Sequence, residues 1–388
     1  MVIIPDRLSD LVRKGEITDR YYNPGNLFSE VHIVMTNDDR PDIAAIQPTV
    51  GSAKLFLHNL PAGMELLVST IGWRPWLLKG WANKAVALAE EIKPSLIRCH
   101  GARLNAFAAR AIKRRLGVPY VVSLHINPDV DVRRGPLRTA LMGYAAASVE
   151  KESLLEADLV LPVYRPIEPF LRRLGVKHYR VAYNVINPNH LGKKDNYALH
   201  RPVRVISVGR LIAAKDPREL IAAVAGLPEV ELTVVGDGPI AEASRRLAAE
   251  LGVDSRIIFR PSIRNDELCA ALPHYDIFAI RSDYFELSKS MLEALLTGLP
   301  VIINRRAGEP VPELSSEICL LVENAAESYR SALQKLIAND AFRERLGRDA
   351  YGHAQANWSP ERSEAVFVEV YRNLLAARRN IDSRQSAA

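Results

Sequence analysis

Apolar residues follow two alternating rhythms along this chain. One is a short, continuous apolar run bounded by glycine, proline or charge, as at residues 203–208, 276–280 and 301–303. Such runs suit strands buried on both faces of a parallel sheet. The other is a longer stretch with apolar positions three and four apart, as at 105–116, 217–225 and 290–297. That spacing puts one apolar stripe on a helix. Gly117 and Gly298 close two of these helices, and Pro300 blocks continuation of the second. In the first half, strands are expected at 2–4, 31–35, 43–48, 66–70, 95–99, 118–124 and 159–162, with helices at 85–92, 105–116 and 140–156. In the second half, strands are expected at 203–208, 232–236, 257–259, 276–280 and 301–303. Helices there are expected at 217–225, 265–272, 290–297, 325–338 and 340–357, and a last amphipathic helix at 361–379. Strand alternating with helix predicts an α/β chain with doubly wound parallel sheets. The polar stretch 191–202, with Gly192, Lys193, Lys194, Asp195 and Asn196, reads as a linker between two windings, 1–190 and 197–360. The polar tail 380–388 is expected to fray.

Length and charge sharpen this picture. A chain of 388 residues is too long for one core, which also argues for two domains. The net charge of +6 is uneven: residues 1–190 hold 25 Lys and Arg against 18 Asp and Glu, and residues 191–388 hold 26 against 27. A basic first half suits an acidic ligand or a membrane surface, and no nucleic-acid module accompanies it. No apolar run is long enough to span a bilayer, and the opening MVIIPDRLSD lacks the pattern of a secretory signal. Cys99, Cys269 and Cys319 have no metal or redox spacing, so they read as reduced, buried thiols of a cytoplasmic protein. Three of the four Trp fall within 72–81, interleaved with Arg74 and Lys79. That mixture fits peripheral contact with an anionic membrane, or a helix packed on a sheet with Trp at its ends. Residues 7–22 carry Arg7, Arg13, Lys14, Arg20, Tyr21 and Tyr22, and read as a basic, aromatic acceptor loop or a plain surface connection.

In doubly wound sheets, ligands sit at the carboxyl ends of the strands. His100, His125, Gly209 and Gly236 fall at such ends. Arg210 and Lys215 follow strand 203–208 and precede the helix at 217–225. Two cations beside a helix start suit a diphosphate. The glycines of 236–238 would let backbone approach a ligand closely. A second helix start, at Ser288 and Lys289, is bracketed by Glu286 and Glu293. Asp129-Val130-Asp131 has the form of a metal-binding Asp-x-Asp, but that motif belongs to a single-domain fold, and this chain winds twice.

These residues resemble the retaining family 4 glycosyltransferases (glycosyl transferases group 1) of the GT-B fold. Leu292-Glu293-Ala294 and Gly298-Leu299-Pro300-Val301 match a signature in which a first Glu stands before the second with seven residues between. Here Phe285 holds the spacing of the first Glu, Glu286 stands one place nearer, and Leu287 and Ser288 replace the usual glycines. Gly209-Arg210-Leu211 with Lys215 matches a second element, and residues 235–239, 308–310, 312–314 and 184–188 resemble others. The resemblance implies two Rossmann-like domains facing a cleft, the first for the acceptor and the second for a nucleoside-diphosphate sugar. It implies that helix 361–379 returns to the first domain. Arg210 and Lys215, with Gly209, Gly236 and the helix start at Leu287, Ser288 and Lys289, would hold the diphosphate. Pro261 and Ile263 would flank the base, Glu293 the ribose, and Glu286 and His125 the sugar. No metal and no cofactor is implied. The expected activity is retaining transfer of a hexosyl group to a glycan, lipid-linked or other acceptor, in cell-surface polysaccharide synthesis. The alternatives are a nucleotide-sugar epimerase of the same fold and a non-catalytic nucleotide-binding scaffold.

Overall fold

The computed structural model describes residues 1–69, 75–126, 149–308 and 310–386. The chain divides into two compact units. One holds 1–13, 17–185 and 361–388; the other holds 14–16 and 186–360.

The first unit carries a six-stranded, all-parallel sheet in the order β3-β2-β1-β4-β5-β6. Its strands are β1 (Val2–Ile4), β2 (Glu30–Met35), β3 (Lys54–Asn59), β4 (Ile97–His100), β5 (Tyr120–Leu124) and β6 (Leu159–Pro162). The second unit repeats that winding with β7 (Val203–Val208), β8 (Val230–Val235), β9 (Ile257–Arg260), β10 (Ile277–Ile280), β11 (Val301–Asn304) and β12 (Leu320–Val322), ordered β12-β11-β10-β7-β8-β9. In each sheet the chain starts centrally, works out to one edge, then returns and works out to the other. The strand order therefore reverses between β1 and β4, and again between β7 and β10. A crevice for a ligand opens at such a point, at the carboxyl ends of the strands. The apolar runs are what the central strands need: Ile3, Ile97, Val121, Val205, Ile277 and Ile302 are fully buried.

Two expected strands fail in the first unit, and one strand there is unexpected. Residues 43–48 and 66–69 are not strands: Ile43–Ile46 and Met64–Ser69 are helices, and Thr70 lies outside the described residues. Asp42 caps the first, accepting from the Ala44 amide at 3.1 Å, and the apolar run there is too short for its period to decide between helix and strand. The strand that pairs with β2 is instead Lys54–Asn59. It lies at the sheet edge, where half-exposed positions tolerate Lys54 and His58, so its composition hides it. In the second unit the hydrophobic rhythm assigns no element to 241–250 or 320–322, yet Ala241–Glu250 is a helix and Leu320–Val322 an edge strand. The last helix runs over Pro360–Ser386, past the expected end.

That helix packs Phe367, Val370 and Tyr371 against Leu96, Val121, Leu161 and Ala182. Ion pairs fasten it: Arg20 to Glu364 at 2.8 Å and Arg180 to Glu369 at 2.7 Å. Arg7 and Arg13 pair with Asp38 and Asp10. Tyr22 is buried. Much of the expected basic, aromatic loop is thus committed to structure. Of the Trp-rich stretch, residues 72–74 lie outside the described residues, and the rest begins the helix Pro75–Ile92. Trp81 is buried and donates to the Leu60 carbonyl at 3.3 Å, whereas Trp76 is 65% exposed. Asp129-Val130-Asp131, most of the helix expected at 140–156, and Glu309 also lie outside the described residues. All three cysteines are free and buried, and no described helix is long and apolar enough to cross a membrane.

Candidate active site

In the second unit, β7 runs into Gly209-Arg210, and three strand-end loops are laced together there. The Gly209 amide donates to the Val235 carbonyl at 3.0 Å, Leu211 to Asp237 at 2.9 Å, and Gly236 to Arg260 at 2.9 Å. Gly236 and Gly238 have φ of +144° and +153°. A Cβ on Gly236 would lie 1.8 Å from the Gly209 carbonyl oxygen, and one on Gly238 2.3 Å from that of Leu211. The space these glycines free is filled by the chain's own backbone. That corrects the expectation that a ligand's approach explains them.

Arg210 is exposed and pairs with no described acid. Lys215 sits in a 3-10 turn, Ala213–Lys215, with its Nζ 2.6 Å from Glu286 Oε1 and 5.5 Å from the Tyr284 ring centre. The pair lies within ion-pair range but misses hydrogen-bond alignment, so its attraction is mainly Coulombic. The loop after β10 is tied to this turn: the Asp283 amide donates to the Ala214 carbonyl at 2.8 Å, and Arg281 reaches Asp216 at 3.8 Å. Phe285, which has the first-Glu spacing, is buried under the Arg306 guanidinium, 4.6 Å from its ring centre. Glu286, one place nearer the helix, is the residue of this loop that meets Lys215.

The helix Lys289–Thr297 begins beside the end of β7. Ser288 caps it through the Met291 amide, and Ser290 Oγ donates to the Val208 carbonyl at 3.1 Å. The next residues, Met291 to Thr297, are all buried. Gly298, at φ +88°, ends the helix, and Tyr197 Oη donates to its carbonyl at 2.9 Å. The segment expected as a linker thus anchors this helix: Lys194 donates its amide to the Thr297 carbonyl at 2.8 Å.

Leu287 is 3% exposed, so its side chain belongs to the core and only its backbone remains for a ligand. Lys289 is not a free cation; its Nζ lies 3.1 Å from Glu16 and 3.9 Å from Glu293. Pro261 and Ile263 follow β9, the first exposed and the second half-buried. Glu293 is 1% exposed and accepts from Asn265 Nδ2 at 2.7 Å. Burial raises its pKa, against the pull of the Lys289 ammonium and the Asn265 bond. Asn265 also meets His190 at 3.4 Å, and its amide donates to the Lys14 carbonyl. Sequence reading misses Asn265. An Asn opening a helix looks like a cap, and its bond to a residue far along the chain has no local signal.

The sign of the Glu293 shift gives a test. A carboxyl whose folded pKa is raised contributes stability below its unfolded value, about 4.3, and loses it as pH rises through the folded value. Glu293→Gln should therefore gain stability over the natural chain at pH 8, with the gap closing towards pH 4, in urea unfolding at each pH. Parallel curves across that range would contradict the assignment.

His125 lies in the first unit, at the end of β5. Its ring centre is 4.9 Å from that of His100, which ends β4. Burial, then the Arg98 guanidinium, pushes the His125 pKa down to about 4 against an opposing Asn184 hydrogen bond. The same two causes, with His125 itself, hold His100 well below the ordinary range. Both imidazoles are neutral at pH 7, and both Nε2 atoms are buried without a hydrogen-bond partner. Among the described residues, no cluster of three or more His, Cys, Asp or Glu could hold a metal.

Known proteins resemble this chain in architecture and in sequence. The family described as "Glycosyl transferases group 1" matches residues 193–353, and "Glycosyl transferase 4-like domain" matches 26–185. The lipopolysaccharide core biosynthesis glycosyltransferase LpsE of Rhizobium meliloti is 29% identical over 206 residues, 52% of this chain and 59% of that protein. The D-inositol 3-phosphate glycosyltransferase of Corynebacterium glutamicum is 34% identical over 196 residues, 47% of this chain and 46% of that one. These matches span about half the length of the curated relatives. Sucrose-phosphate synthase from Thermosynechococcus elongatus superposes with a TM-score of 0.75 at 20% identity, over 97% of this chain and 99% of that chain. Anabaena Alr3699/HepE in complex with UDP gives 0.71 at 15%, over 96% and 99%. The two family matches, the twice-wound sheets and these superpositions together place the chain in the group 1 glycosyltransferases, with the two-domain α/β fold called GT-B.

Proposed function

We propose that this protein is a retaining glycosyltransferase that takes a hexosyl group from a nucleoside-diphosphate sugar and passes it to a glycan, lipid-linked or other hydroxyl acceptor in cell-surface polysaccharide synthesis. The observation that carries the reading is the meeting of Arg210, Lys215 and the capped start of helix Lys289–Thr297 at the end of β7. The costly event in such a transfer is departure of the diphosphate, and fixed cations aimed at charge as it develops lower that barrier most. In this reading Arg210, Lys215 and the Ser288–Lys289 turn take the diphosphate, with backbone help from Leu287. Pro261 and Ile263 flank the base and Glu293 takes the ribose hydroxyls. The acceptor belongs to the first unit, and His125 keeps the sugar-binding role that the resemblance implies. Among the described residues no carboxylate is placed as a nucleophile, so in this reading the leaving phosphate takes the acceptor's proton during same-face attack. Two cations neutralise the diphosphate, and the reading calls for no metal and no cofactor. A relative of the fold crystallised with UDP-glucose, Anabaena Alr3699/HepE, favours this donor class.

The test is the melting temperature of the purified protein with UDP, GDP, ADP, dTDP or CMP. A ligand at a hundred times its Kd stabilises the native state by about 2.7 kcal/mol. One nucleotide should raise the melting temperature by several degrees, and product mass should then show a transferred hexose. An isomerised donor would indicate an epimerase; binding without any turnover across many acceptors would indicate a scaffold. Trp76, exposed on the same helix face as Lys79, adds a cytoplasmic, peripheral role at an anionic bilayer to the proposal. Salt-sensitive sedimentation with anionic vesicles should fall severalfold in Trp76→Ala, and equal sedimentation would exclude that role.

A further inference from the structure

The acid nearest the proposed diphosphate cations is also buried against one of them. Glu286 and Lys215 are 20% and 14% exposed at their side chains, and their charged atoms lie 2.6 Å apart. Glu286 Oε1 is buried and makes no aligned hydrogen bond. Phe285 is turned into the core beneath Arg306, so the backbone commits Glu286, and not its neighbour, to the Lys215 side. Nearby charges do not dilute the effect. Asp216 is engaged by Arg218 and Arg281, Asp283 is paired with Arg281, and Lys289 is held by Glu16. Arg210 alone faces solvent unpaired among the cations named here.

We propose that Glu286 selects ligands by charge: it lets the site hold a nucleoside diphosphate esterified by a sugar and weakens its hold on the free nucleoside diphosphate left after transfer. The proposal rests on the donor reading above. A sugar ester of a nucleoside diphosphate carries about two negative charges. The free diphosphate carries about three at neutral pH, because its terminal phosphate loses a further proton near pH 6. That extra charge sits on the terminal phosphate, the group Lys215 would meet. A fixed carboxylate a few ångströms away in a partly desolvated site opposes the extra charge by roughly tenfold or more in affinity. The sugar ester lacks that charge and escapes most of the penalty. Glu286 would then hasten product release, which limits turnover in many transferases. This differs from holding sugar hydroxyls, a role that would act on the donor and not on the free product.

Calorimetric Kd values for UDP and UDP-glucose, or GDP and GDP-mannose if guanine is the base that stabilises the natural chain, separate the two roles. In Glu286→Gln the free diphosphate should bind about tenfold tighter and the sugar ester no more than about threefold tighter. Product inhibition should strengthen in step. Glu286→Asp keeps the charge and should keep the natural selectivity, which guards against a misfolded Gln variant. In the natural chain the discrimination should shrink at pH 5, where the terminal phosphate regains its proton. Unchanged or weaker binding of the free diphosphate in Glu286→Gln overturns the proposal. So does a loss confined to the sugar ester, which would mark a hydroxyl-binding role. If the natural chain binds none of the four ligands, the donor reading itself falls, and the proposal with it.

Discussion

Arg210→Ala should lower kcat by about a hundred- to a thousandfold and move the melting temperature by no more than a degree or two. The first figure follows from what one preorganised donor contributes when it faces charge that develops in the transition state. The second follows from position. Arg210 is exposed and makes no ion pair with a described residue, so its removal strands no partner. Lys215→Met is a less clean experiment. It removes a cation and also leaves the half-buried Glu286 without its counter-ion, so stability and chemistry change together. The decisive comparison is kcat, KM and melting temperature for the natural chain and Arg210→Ala with the same nucleotide sugar. A kcat within fivefold of the natural value would move Arg210 out of the diphosphate site. The nucleotide-induced rise in melting temperature should also shrink in the variant, because the ground-state diphosphate loses the same cation.

Gly236→Ala is expected to cost about 4 kcal/mol or more, a large share of the roughly 5–15 kcal/mol that holds a typical unit folded. Two penalties coincide there. The backbone holds φ +144°, a conformation that side-chain-bearing residues rarely adopt. The new methyl would also lie 1.8 Å from the Gly209 carbonyl oxygen, a backbone atom that cannot swing aside as a flexible side chain can. Separating the two loops to make room would break the Gly209-to-Val235 hydrogen bond that joins β7 and β8 at the site. Gly209→Ala supplies the contrast. A Cβ there meets Lys215 Cδ at 3.5 Å, an ordinary contact, so stability should fall far less while Lys215 is disturbed. Urea unfolding of both variants checks this. A Gly236→Ala midpoint near the natural value would show that the strand-end loops are looser than their hydrogen bonds imply.

The sequence by itself determined the twice-wound α/β character of this protein. Central strands of a parallel sheet are buried on both faces, so they must be continuous apolar runs, and β7, β10 and β11 stand out for that reason. It also determined the helix Lys289–Thr297, whose Ser288 cap and Gly298 stop are local signals, and the placement of Arg210 and Lys215 after β7. Of the four described edge strands, β6 and β9 were legible as short apolar runs, whereas β3 and β12 were not. Lys54–Asn59 and Leu320–Val322 are covered on one side only, so burial does not force their composition. The short apolar segments at 43–48 and 66–70 went the other way, because a run of that length has no period to separate strand from helix.

Only the tertiary structure decided which charges are free. Lys289, Arg7 and Arg20 look alike as cations in the sequence, yet each meets an acid supplied by a distant part of the chain. Only the fold showed that Asn265 holds Glu293, that Phe285 turns inward while Glu286 meets Lys215, and that Gly236 makes room for the Gly209 carbonyl. The reason is the range of the forces. Caps, turns and hydrophobic periods act within a few residues and are written into local sequence. Ion pairs, buried hydrogen bonds and backbone-to-backbone contacts depend on distances that exist only after the two sheets have wound.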